Sequence, residues 1–372
     1  MRIGFDAKRA FFNNTGLGNY SRDTIRILSK HYPNNDYFLY TPELKENHRI
    51  NRLLKYKNID TRTPSFFNKC LLPIWRNRRI VTDLIRDRID IYHGLSHELP
   101  VGIKKYKIKS VVTIHDLIFI RYPDLFTKID RIIYKNKVVN SCRDSNMIIA
   151  ASNQTKKDIV HFLKINPDKI KVIYQSCNPV FQSEISHKFR NSIISKYSLP
   201  NQFLLFVGTI EKRKNLLTIL KAIKFMKNQK LVIIGDGGNY KQECLRFISK
   251  NSLANRVIFL KNLEIKEIAA VYQLADMLIY PSLFEGFGIP ILEALFSKIP
   301  VITSKNSSLI EVGGKNTKYI NPLEYTELID AISEIQKDDL LRKKMITNGM
   351  QHAKEFNEYE VAKNLMTLYD GL

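Results

Sequence analysis

The sequence lacks the features of a secreted, membrane-spanning or zinc-binding protein. Its four cysteines, Cys70, Cys142, Cys177 and Cys244, are scattered and form no CxxC pair, which argues against a disulfide framework and a zinc site. No apolar run approaches the roughly 18 residues of a membrane span, and the first residues, MRIGFDA, are typical of a strand rather than a signal peptide. We therefore expect a cytoplasmic protein with reduced, mostly buried thiols.

Acidic residues are scarce relative to basic ones. The 372 residues include 59 Lys and Arg but only 36 Asp and Glu, a formal net charge of +23. The excess lies in residues 1–200, which hold 36 basic and 17 acidic residues, whereas residues 201–372 hold 23 and 19. The positive electrostatic field of these residues could attract an anionic membrane surface or nucleic acid.

The length and the apolar pattern predict an α/β protein with two domains. A chain of 372 residues exceeds a comfortable single core. Short apolar strands such as RIGFDA, SVVTIHD, FLLFVGT and KLVIIGD alternate with helix-compatible stretches, which is typical of parallel sheets. Residues 181–200 hold no strong strand, so we expect a linker there between Rossmann-like domains at 1–180 and 201–351.

The segment EGFGIPILEAL is the most informative one in the chain. It sets Glu285 and Glu293 eight positions apart around a glycine turn that opens a helix. Gly286 and Gly288 permit a sharp turn with bare backbone, and Pro290 suits the first helical position. A helix N-terminus offers N–H groups to an anion, so the segment favours a nucleotide-sugar site. The alternative is a buried strand, turn and helix with two solvated glutamates.

Other strand ends also carry residues suited to a ligand, and open α/β sheets bind ligands at that edge. Gly16 and Gly18 follow the first predicted strand, His115 follows SVVTI, and Arg213 and Lys214 follow FLLFVG. Each alone has an ordinary alternative, namely a turn, a core histidine or solvated surface. Their common placement at strand ends favours a ligand-binding site, in which Arg213 and Lys214 would contact a diphosphate.

Taken in order, these segments resemble a known family. TGLGNYSR, DIYHGLSHELP, TIHDLIF, FVGTIEKRKNL, VIIGDGG and ADMLIYPSLFEGFGIPILEAL are similar to segments of the GT-B retaining glycosyltransferases of family 4, nearest to bacterial mannosyltransferase-like members. The resemblance covers most of the chain. It implies two Rossmann-like domains facing each other across a cleft, an N-terminal domain that binds the acceptor, and a C-terminal helix, residues 352–372, that crosses back to that domain.

The resemblance also implies roles for the residues of the second domain. Glu293 is similar to the residue that binds the ribose hydroxyls, and Glu285 to the one that faces the donor sugar. Arg213 and Lys214 look like the diphosphate clamp, and the backbone of residues 286–288, which includes Phe287, would add N–H donors. The catalytic set would be His115, Glu285 and Lys214.

In the first domain the resemblance implies that Gly16 and Gly18 belong to a loop over the phosphates and that His115 lies near the donor sugar. Two departures weaken the match. Thr209 stands where many relatives carry an arginine, so Arg213 would have to supply that charge. Gln175 and Ser176 stand where many have Asn-Gly, which puts the contact of that loop in doubt.

The expected reaction transfers a hexose, with mannose favoured, from a GDP- or UDP-sugar to a glycan or a lipid-linked acceptor. It would serve the synthesis of a surface polysaccharide, either the O-antigen of lipopolysaccharide or a capsule. The chain has no Asp-x-Asp motif for a divalent ion, so we expect no metal and no other cofactor. The alternatives are a sugar-nucleotide epimerase or phosphorylase of the same architecture, or a basic nucleic-acid-binding protein. The basic residues follow no nucleic-acid-binding module, so we expect no nucleic-acid partner.

A membrane surface is a further expected partner. The segment from Ser65 to Arg88 combines apolar and basic residues in a way that suits anionic headgroups at the inner face of the cell membrane. Its members are Phe66, Phe67, Leu71, Leu72, Ile74, Trp75, Arg76, Arg78 and Arg79, with Lys104, Lys105, Lys107 and Lys109 nearby. The alternative is an ordinary helix with a packed apolar face and solvated arginines.

Overall fold

A computed structural model describes residues 1–45, 48–65 and 72–372 of the chain. It divides them into two units. The first comprises Met1–Ser176 together with Asn357–Leu372, and the second comprises Cys177–Phe356. Residues 181–200, for which the sequence predicted a linker, carry the helix His187–Tyr197 and belong to the second unit.

The first unit is built on a parallel sheet whose strands lie in the order β3-β2-β1-β4-β5-β6-β7. The strands are β1 Arg2–Asp6, β2 Asp36–Tyr40, β3 Ile59–Arg62, β4 Ile91–Gly94, β5 Lys109–Ile114, β6 Met147–Ala150 and β7 Ile170–Val172. Residues of β4 and most of those in β1, β2, β5 and β6 are buried, as expected for a parallel sheet covered on both faces.

The helices of the first unit connect these strands. They are α1 Lys8–Phe12, α2 Gly16–His31, α3 His48–Leu53, α4 Leu72–Ile74, α5 Ile80–Arg86, α6 Ile118–Arg121, α7 Lys128–Asp144, α8 Asn153–Leu163 and, from the end of the chain, α17 Glu358–Asp370. A short π-helix, Trp75–Arg79, joins α4 to α5.

The second unit holds another parallel sheet, in the order β10-β9-β8-β11-β12-β13. Its strands are β8 Leu204–Val207, β9 Leu231–Ile234, β10 Val257–Leu260, β11 Met277–Tyr280, β12 Val301–Ser304 and β13 Lys318–Ile320. Its helices are α9 His187–Tyr197, α10 Leu216–Phe225, α11 Asn239–Lys250, α12 Ile265–Leu274, α13 Ile289–Phe296, α14 Leu309–Gly313, α15 Tyr325–Lys337 and α16 Asp339–Ala353.

The predicted α/β class with two Rossmann-like domains is confirmed. Two strands, β3 and β13, were not predicted, because β3 is polar and only partly buried and β13 has only three residues. In each sheet the strand order reverses once, between β1 and β4 and between β8 and β11. Ligands of open α/β sheets bind at such reversal points, beyond the carboxyl ends of the strands.

The last helix of the chain, α17, belongs to the first unit. Glu358, in its first turn, accepts a hydrogen bond from Arg26 of α2 at 2.7 Å and lies 3.2 Å from His31. Burial alone would raise the pKa of Glu358, but hydrogen bonds from Lys30 and Arg26 lower it to about 2. The carboxylate therefore stays charged and ties α17 to α2.

A chain of buried hydrogen bonds also anchors α17. The hydroxyl of Tyr369 lies 2.6 Å from His93 Nδ1, and Nε2 of the same ring lies 2.8 Å from Thr113 Oγ1. Thr113 Oγ1 in turn lies 2.9 Å from the hydroxyl of Tyr20 in α2. Burial lowers the pKa of His93 to about 3, so the ring is neutral and takes part as donor and acceptor.

Two members of the segment from Ser65 to Arg88 have side chains that are buried or paired within the first unit. Trp75 is 1% exposed and its indole N–H donates to Asp83 at 2.7 Å. Arg76 forms ion pairs with Asp6 at 2.6 Å and Glu98 at 2.9 Å. The expectation that Trp75 and Arg76 meet a membrane is therefore wrong, because both are used inside the unit.

The other members of that segment differ from Trp75 and Arg76 in their exposure or lie outside the described residues. Ile74, Arg78 and Arg79 are exposed, while Phe66, Phe67 and Leu71 lie outside the described residues. Within the described part of the chain, no helix has the length and apolar character to cross a membrane. Cys142, Cys177 and Cys244 are buried, as predicted, and Cys70 lies outside the described residues.

We expect Tyr369→Phe to lower the free energy of unfolding by about 1 to 2 kcal/mol, because it leaves the buried His93 Nδ1 without its hydrogen-bond partner. Tyr359→Phe is the matched control on the same helix, since Tyr359 is 52% exposed. Urea unfolding followed by circular dichroism measures both. Equal midpoints for the two variants would contradict a stabilising role for the His93 contact.

Candidate functional site

The carboxyl ends of β8 and β11, at the reversal point of the second sheet, hold a buried charged cluster. Glu285 lies at its centre, and its Oε1 is 2.7 Å from both Arg213 Nη1 and Lys214 Nζ. The hydroxyls of Ser282 and Tyr280 donate to the same oxygen at 2.6 and 3.0 Å. The structure thus brings together three residues that the sequence predicted for the site, Arg213, Lys214 and Glu285.

Glu285 is charged in this cluster. Burial alone would raise its pKa, but Lys214 and Arg213, with the hydrogen bonds from Lys214 and Ser282, lower the pKa to about 2. The alternative of a solvated glutamate at this position is wrong, because the residue is buried. Its carboxylate is the counter-ion shared by two cations.

Arg213 is held in a fixed orientation. Its guanidinium donates to the carbonyl oxygen of Phe284 at 2.6 Å and pairs with Glu211. Its own carbonyl accepts a hydrogen bond from the backbone N–H of Leu283 at 2.8 Å, which ties the loop after β8 to the loop after β11. Burial opposes the charge of Arg213, but Glu285 and Glu211 raise the pKa, so the guanidinium stays protonated.

Lys214 is the last residue of a 3₁₀ turn, Lys212–Lys214, that follows β8. Its ammonium donates to the hydroxyl of Tyr280 and lies 4.8 Å from the centre of that ring. Burial and the nearby Arg213 lower the pKa of Lys214, and Glu285 only partly offsets them. Two neighbouring cations therefore share one carboxylate, an arrangement that an additional anion would stabilise.

Ser308 supports the glycine turn between β11 and α13 through hydrogen bonds to its backbone. The Ser308 hydroxyl is 2.8 Å from the carbonyl oxygens of both Glu285 and Phe287. Gly288 has a φ of 112°, and a Cβ there would lie 2.9 Å from Leu309, so a larger residue would be both strained and crowded. These contacts hold the backbone of the turn in place just before α13.

Helix α13 begins at Ile289, so Pro290 is its second residue and Glu293 its fifth. The sequence predicted the first helical position for Pro290, and the helix begins one residue earlier. Tyr272 of α12 is buried and donates to Glu293 Oε2 at 2.8 Å. Glu293 is partly exposed, and this hydrogen bond orients its carboxylate.

In the first unit, His115 follows β5 and is buried. Its Nε2 donates to the carbonyl oxygen of Leu95 at 2.9 Å, which leaves Nδ1 as the acceptor nitrogen. The rings of Tyr20 and His115 form a T-shaped pair with their centres 4.5 Å apart, and the centre of the His97 ring lies 5.3 Å away. Burial, followed by the neighbouring His97, lowers the pKa of His115 to about 3, so the ring is neutral near pH 7.

The two glycines after β1 differ in their surroundings. Gly16 is the first residue of α2, and a Cβ there would meet nothing within 4 Å. A Cβ on Gly18 would lie 1.8 Å from the carbonyl oxygen of Asn13. Gly18 is therefore required for the close approach of α2 to the preceding loop, whereas Gly16 is open to its surroundings.

Sequence reasoning missed several residues that shape these sites. Tyr280 and Ser282 stand in the segment YPSLFEG, Ser308 in SKNSSLIEV and His97 in HGLSHELP, and none was singled out. A hydroxyl two residues after a buried strand and three residues before Glu285 was a usable signal for Ser282. No local pattern pointed to Tyr272, because α12 brings it to Glu293 from another part of the chain.

Two family models match the chain, one for each half. The model described as Glycosyltransferase Family 4 matches residues 15–179, and the model described as Glycosyl transferases group 1 matches residues 190–352. Among curated proteins, O-antigen chain mannosyltransferase B of Escherichia coli is 24% identical over 96% of both chains. O-antigen chain mannosyltransferase RfbU of Salmonella typhimurium is 29% identical over 61% of both.

Solved structures share the fold. Anabaena Alr3699/HepE in complex with UDP and glucose superposes over the full length of both chains with a TM-score of 0.79 at 16% identity. WaaG, a glycosyltransferase involved in lipopolysaccharide biosynthesis, does so with a TM-score of 0.74 at 17% identity. With family matches on both halves and this fold, the chain belongs to the GT-B glycosyltransferases of family 4 and is similar to its mannosyltransferase members.

Proposed function

We propose that this protein is a retaining hexosyltransferase that moves mannose from a nucleotide diphosphate sugar to a glycan or lipid-linked acceptor in the synthesis of surface polysaccharide, O-antigen or capsule. The observation that carries the proposal is the pair of mostly buried cations, Arg213 and Lys214, whose side chains are 14 and 12% exposed and which follow β8. The names of the relatives support the sugar and the pathway, since two of them are O-antigen chain mannosyltransferases.

The cations suit the charge that develops in the reaction. When the bond between the sugar and the diphosphate breaks, negative charge forms on the leaving phosphate, and fixed positive groups lower the barrier. Arg213 and Lys214 share Glu285 as a counter-ion, and hydrogen bonds hold both of them in place. We assign the diphosphate to these two side chains and propose that binding needs no divalent ion.

The carboxylates have different surroundings and therefore different proposed roles. Glu293 is partly exposed and oriented by Tyr272, which suits a carboxylate that accepts hydrogen bonds from ribose hydroxyls. Glu285 is surrounded by cations and hydroxyls, and its low pKa makes it a weak nucleophile. This favours transfer with retention by attack on the same face of the sugar, without a covalent intermediate on Glu285.

In the first unit we assign His115 to the donor sugar. Its neutral ring presents Nδ1 as an acceptor, because Nε2 donates to Leu95, so it suits a hydrogen bond from a sugar hydroxyl. Gly16 begins α2 without steric crowding, which suits close approach of a ligand to the backbone, with Gly18 as the structural partner of that turn. A lipid-linked acceptor would place the protein at the cytoplasmic face of an anionic membrane.

We expect Lys214→Ala to weaken the binding of UDP or GDP by about 1.5 to 3 kcal/mol, because it removes a hydrogen bond to a charged phosphate. Lys212→Ala is the matched control, since Lys212 is two residues away and exposed. Isothermal titration calorimetry in the presence of a chelator measures both variants. Unchanged affinity in Lys214→Ala, or binding that disappears with the chelator, would contradict the assignment.

We expect the two glutamates to separate by their kinetic effects. Glu293→Gln should weaken the binding of the free nucleotide and raise KM, whereas Glu285→Gln should mainly lower kcat. The measurement is initial rates with GDP-mannose and UDP-glucose, together with calorimetry on the nucleotides. Circular dichroism serves as the folding control, because Glu285→Gln removes the buried carboxylate that Arg213 and Lys214 share. Wild-type kinetics in both folded variants would rule out this site.

We expect His115→Ala to abolish most transfer while nucleotide affinity stays within about twofold of the wild type, because the proposed contact is to the sugar and not to the nucleotide. His161→Ala is the control, since His161 is an exposed histidine of the same unit. Rates and calorimetry are compared for both variants. Full activity of a folded His115→Ala protein would remove His115 from the site.

A further inference from the structure

The first sheet has a reversal point of its own, at the carboxyl ends of β1 and β4. Asp6 is the last residue of β1, and Lys8 and Arg9 are the first two residues of the short helix α1 that follows it. Ligands of open α/β sheets bind at such an edge. The diphosphate assigned to the second unit leaves these residues without a role.

Arg76 pairs with two carboxylates at this edge. Its guanidinium lies 2.6 Å from Asp6 and 2.9 Å from Glu98, which belongs to the loop after β4. Glu98 also lies 3.1 Å from Lys137. Asp6 accepts a hydrogen bond from the backbone N–H of Lys8 at 3.2 Å. Both carboxylates therefore have partners other than the side-chain cations of α1.

Lys8 and Arg9 add positive charge that these carboxylates do not neutralise. Within the described part of the chain, neither side chain forms an ion pair. Burial first, and then Arg76 and Arg9, lower the pKa of Lys8. Asp6 and Glu98 only partly offset these effects. An additional anion would stabilise this arrangement, as it would the cation pair assigned to the donor diphosphate.

The loop after β4 contains polar atoms that lack partners. Ser96 is buried, and its Oγ, like the buried Nδ1 of His97, has no hydrogen-bond partner among the residues that the structure describes. His97 has a φ of 65°, in the left-handed region that few residues other than glycine adopt. Unpaired buried polar atoms and unusual backbone conformations are concentrated at functional sites. The loop is therefore independent evidence for a ligand at this edge.

Arg9 also lies near the residue that we assign to the donor sugar. Burial has the largest effect on the pKa of both His97 and His115, and the charge of Arg9 lowers both further. The centres of the two rings are 5.3 Å apart. An anion bound by Arg9 would therefore lie close to the transferred sugar and would belong to the molecule that receives it.

We propose that Lys8 and Arg9, beside Arg76, form an anion site in the first unit that is separate from the donor diphosphate site and binds a phosphate or diphosphate group of the acceptor. The inference rests on the proposed function, and it selects an acceptor with a phosphate group over a neutral glycan. Two unpaired cations match the charge of a phosphate monoester or a diphosphate, whereas a carboxylate would neutralise only one of them. The planar guanidinium of Arg9 can contact two phosphate oxygens at once.

The test is isothermal titration calorimetry of the full-length protein with farnesyl diphosphate or inorganic pyrophosphate. Saturating GDP or UDP is present, so that the donor site is filled. We expect both probes to bind, because the site recognises the phosphate groups that they share. The variant Lys8→Gln, Arg9→Gln should weaken the binding of both by about tenfold or more, since it removes two charged hydrogen-bond donors. Its affinity for GDP and UDP alone should stay within about twofold of the wild type, because the two sites are independent.

Two control variants separate charge from fold. Lys8→Arg keeps the charge and should bind both probes within about threefold of the wild type. Lys55→Gln, Lys57→Gln removes two exposed lysines of the same unit and should bind both probes like the wild type. Circular dichroism reports the fold of each variant.

Absence of binding of both probes to the wild type would overturn the inference, and so would unchanged affinity in the folded Lys8→Gln, Arg9→Gln variant. An equal loss of nucleotide affinity in that variant would assign the two cations to the donor instead. A loss for farnesyl diphosphate with unchanged binding of pyrophosphate would assign them to the apolar chain and not to phosphate.

The proposed function is tested separately by the nucleotides alone. If GDP and UDP do not bind the wild type while pyrophosphate binding still depends on Lys8 and Arg9, the donor assignment fails and the anion site of the first unit is supported.

Discussion

A buried carboxylate shared by two cations joins the loops after β8 and β11 at one edge of the second sheet. Glu285 contacts Arg213 and Lys214, and the loops after β8 and β11 are joined through these side chains and through the backbone bond from Leu283 to Arg213. Breaking such a buried arrangement leaves an uncompensated charge, which is far more costly than the pair is worth in net stabilisation. The same contacts that hold the turn keep two positive charges in a fixed position before any anion arrives.

Much of the fold could be predicted from the sequence because parallel strands that are buried on both faces produce short, continuous apolar runs. The strands that escaped prediction are those without this pattern, β3 with its polar residues and the three-residue β13. Helix α9 was mistaken for a linker, since it has only one buried residue, Ile193, and hence a weak periodic signal.

The site was predictable to the extent that it lies at strand ends. Arg213, Lys214 and Glu285 were found because parallel sheets bring the ends of β8 and β11 to the same edge. Tyr272 was not, because a contact between α12 and α13 depends on helix packing rather than on local spacing. The membrane prediction failed at Trp75 for a related reason. An aromatic residue next to arginines suits an interface and a core equally well, and only the folded structure, in which Trp75 is buried and donates to Asp83, distinguishes the two.

The return of α17 to the first unit has a consequence for synthesis of the chain. Glu358 meets Arg26 across 332 positions of sequence, so this part of the first unit can form only after the whole second unit has left the ribosome. The second unit, Cys177–Phe356, is continuous and can complete its core as it emerges. Until α17 arrives, the side of α2 that carries Arg26 and the buried His93 remain uncovered, so the nascent first unit depends on a late, long-range step to exclude water from its interior.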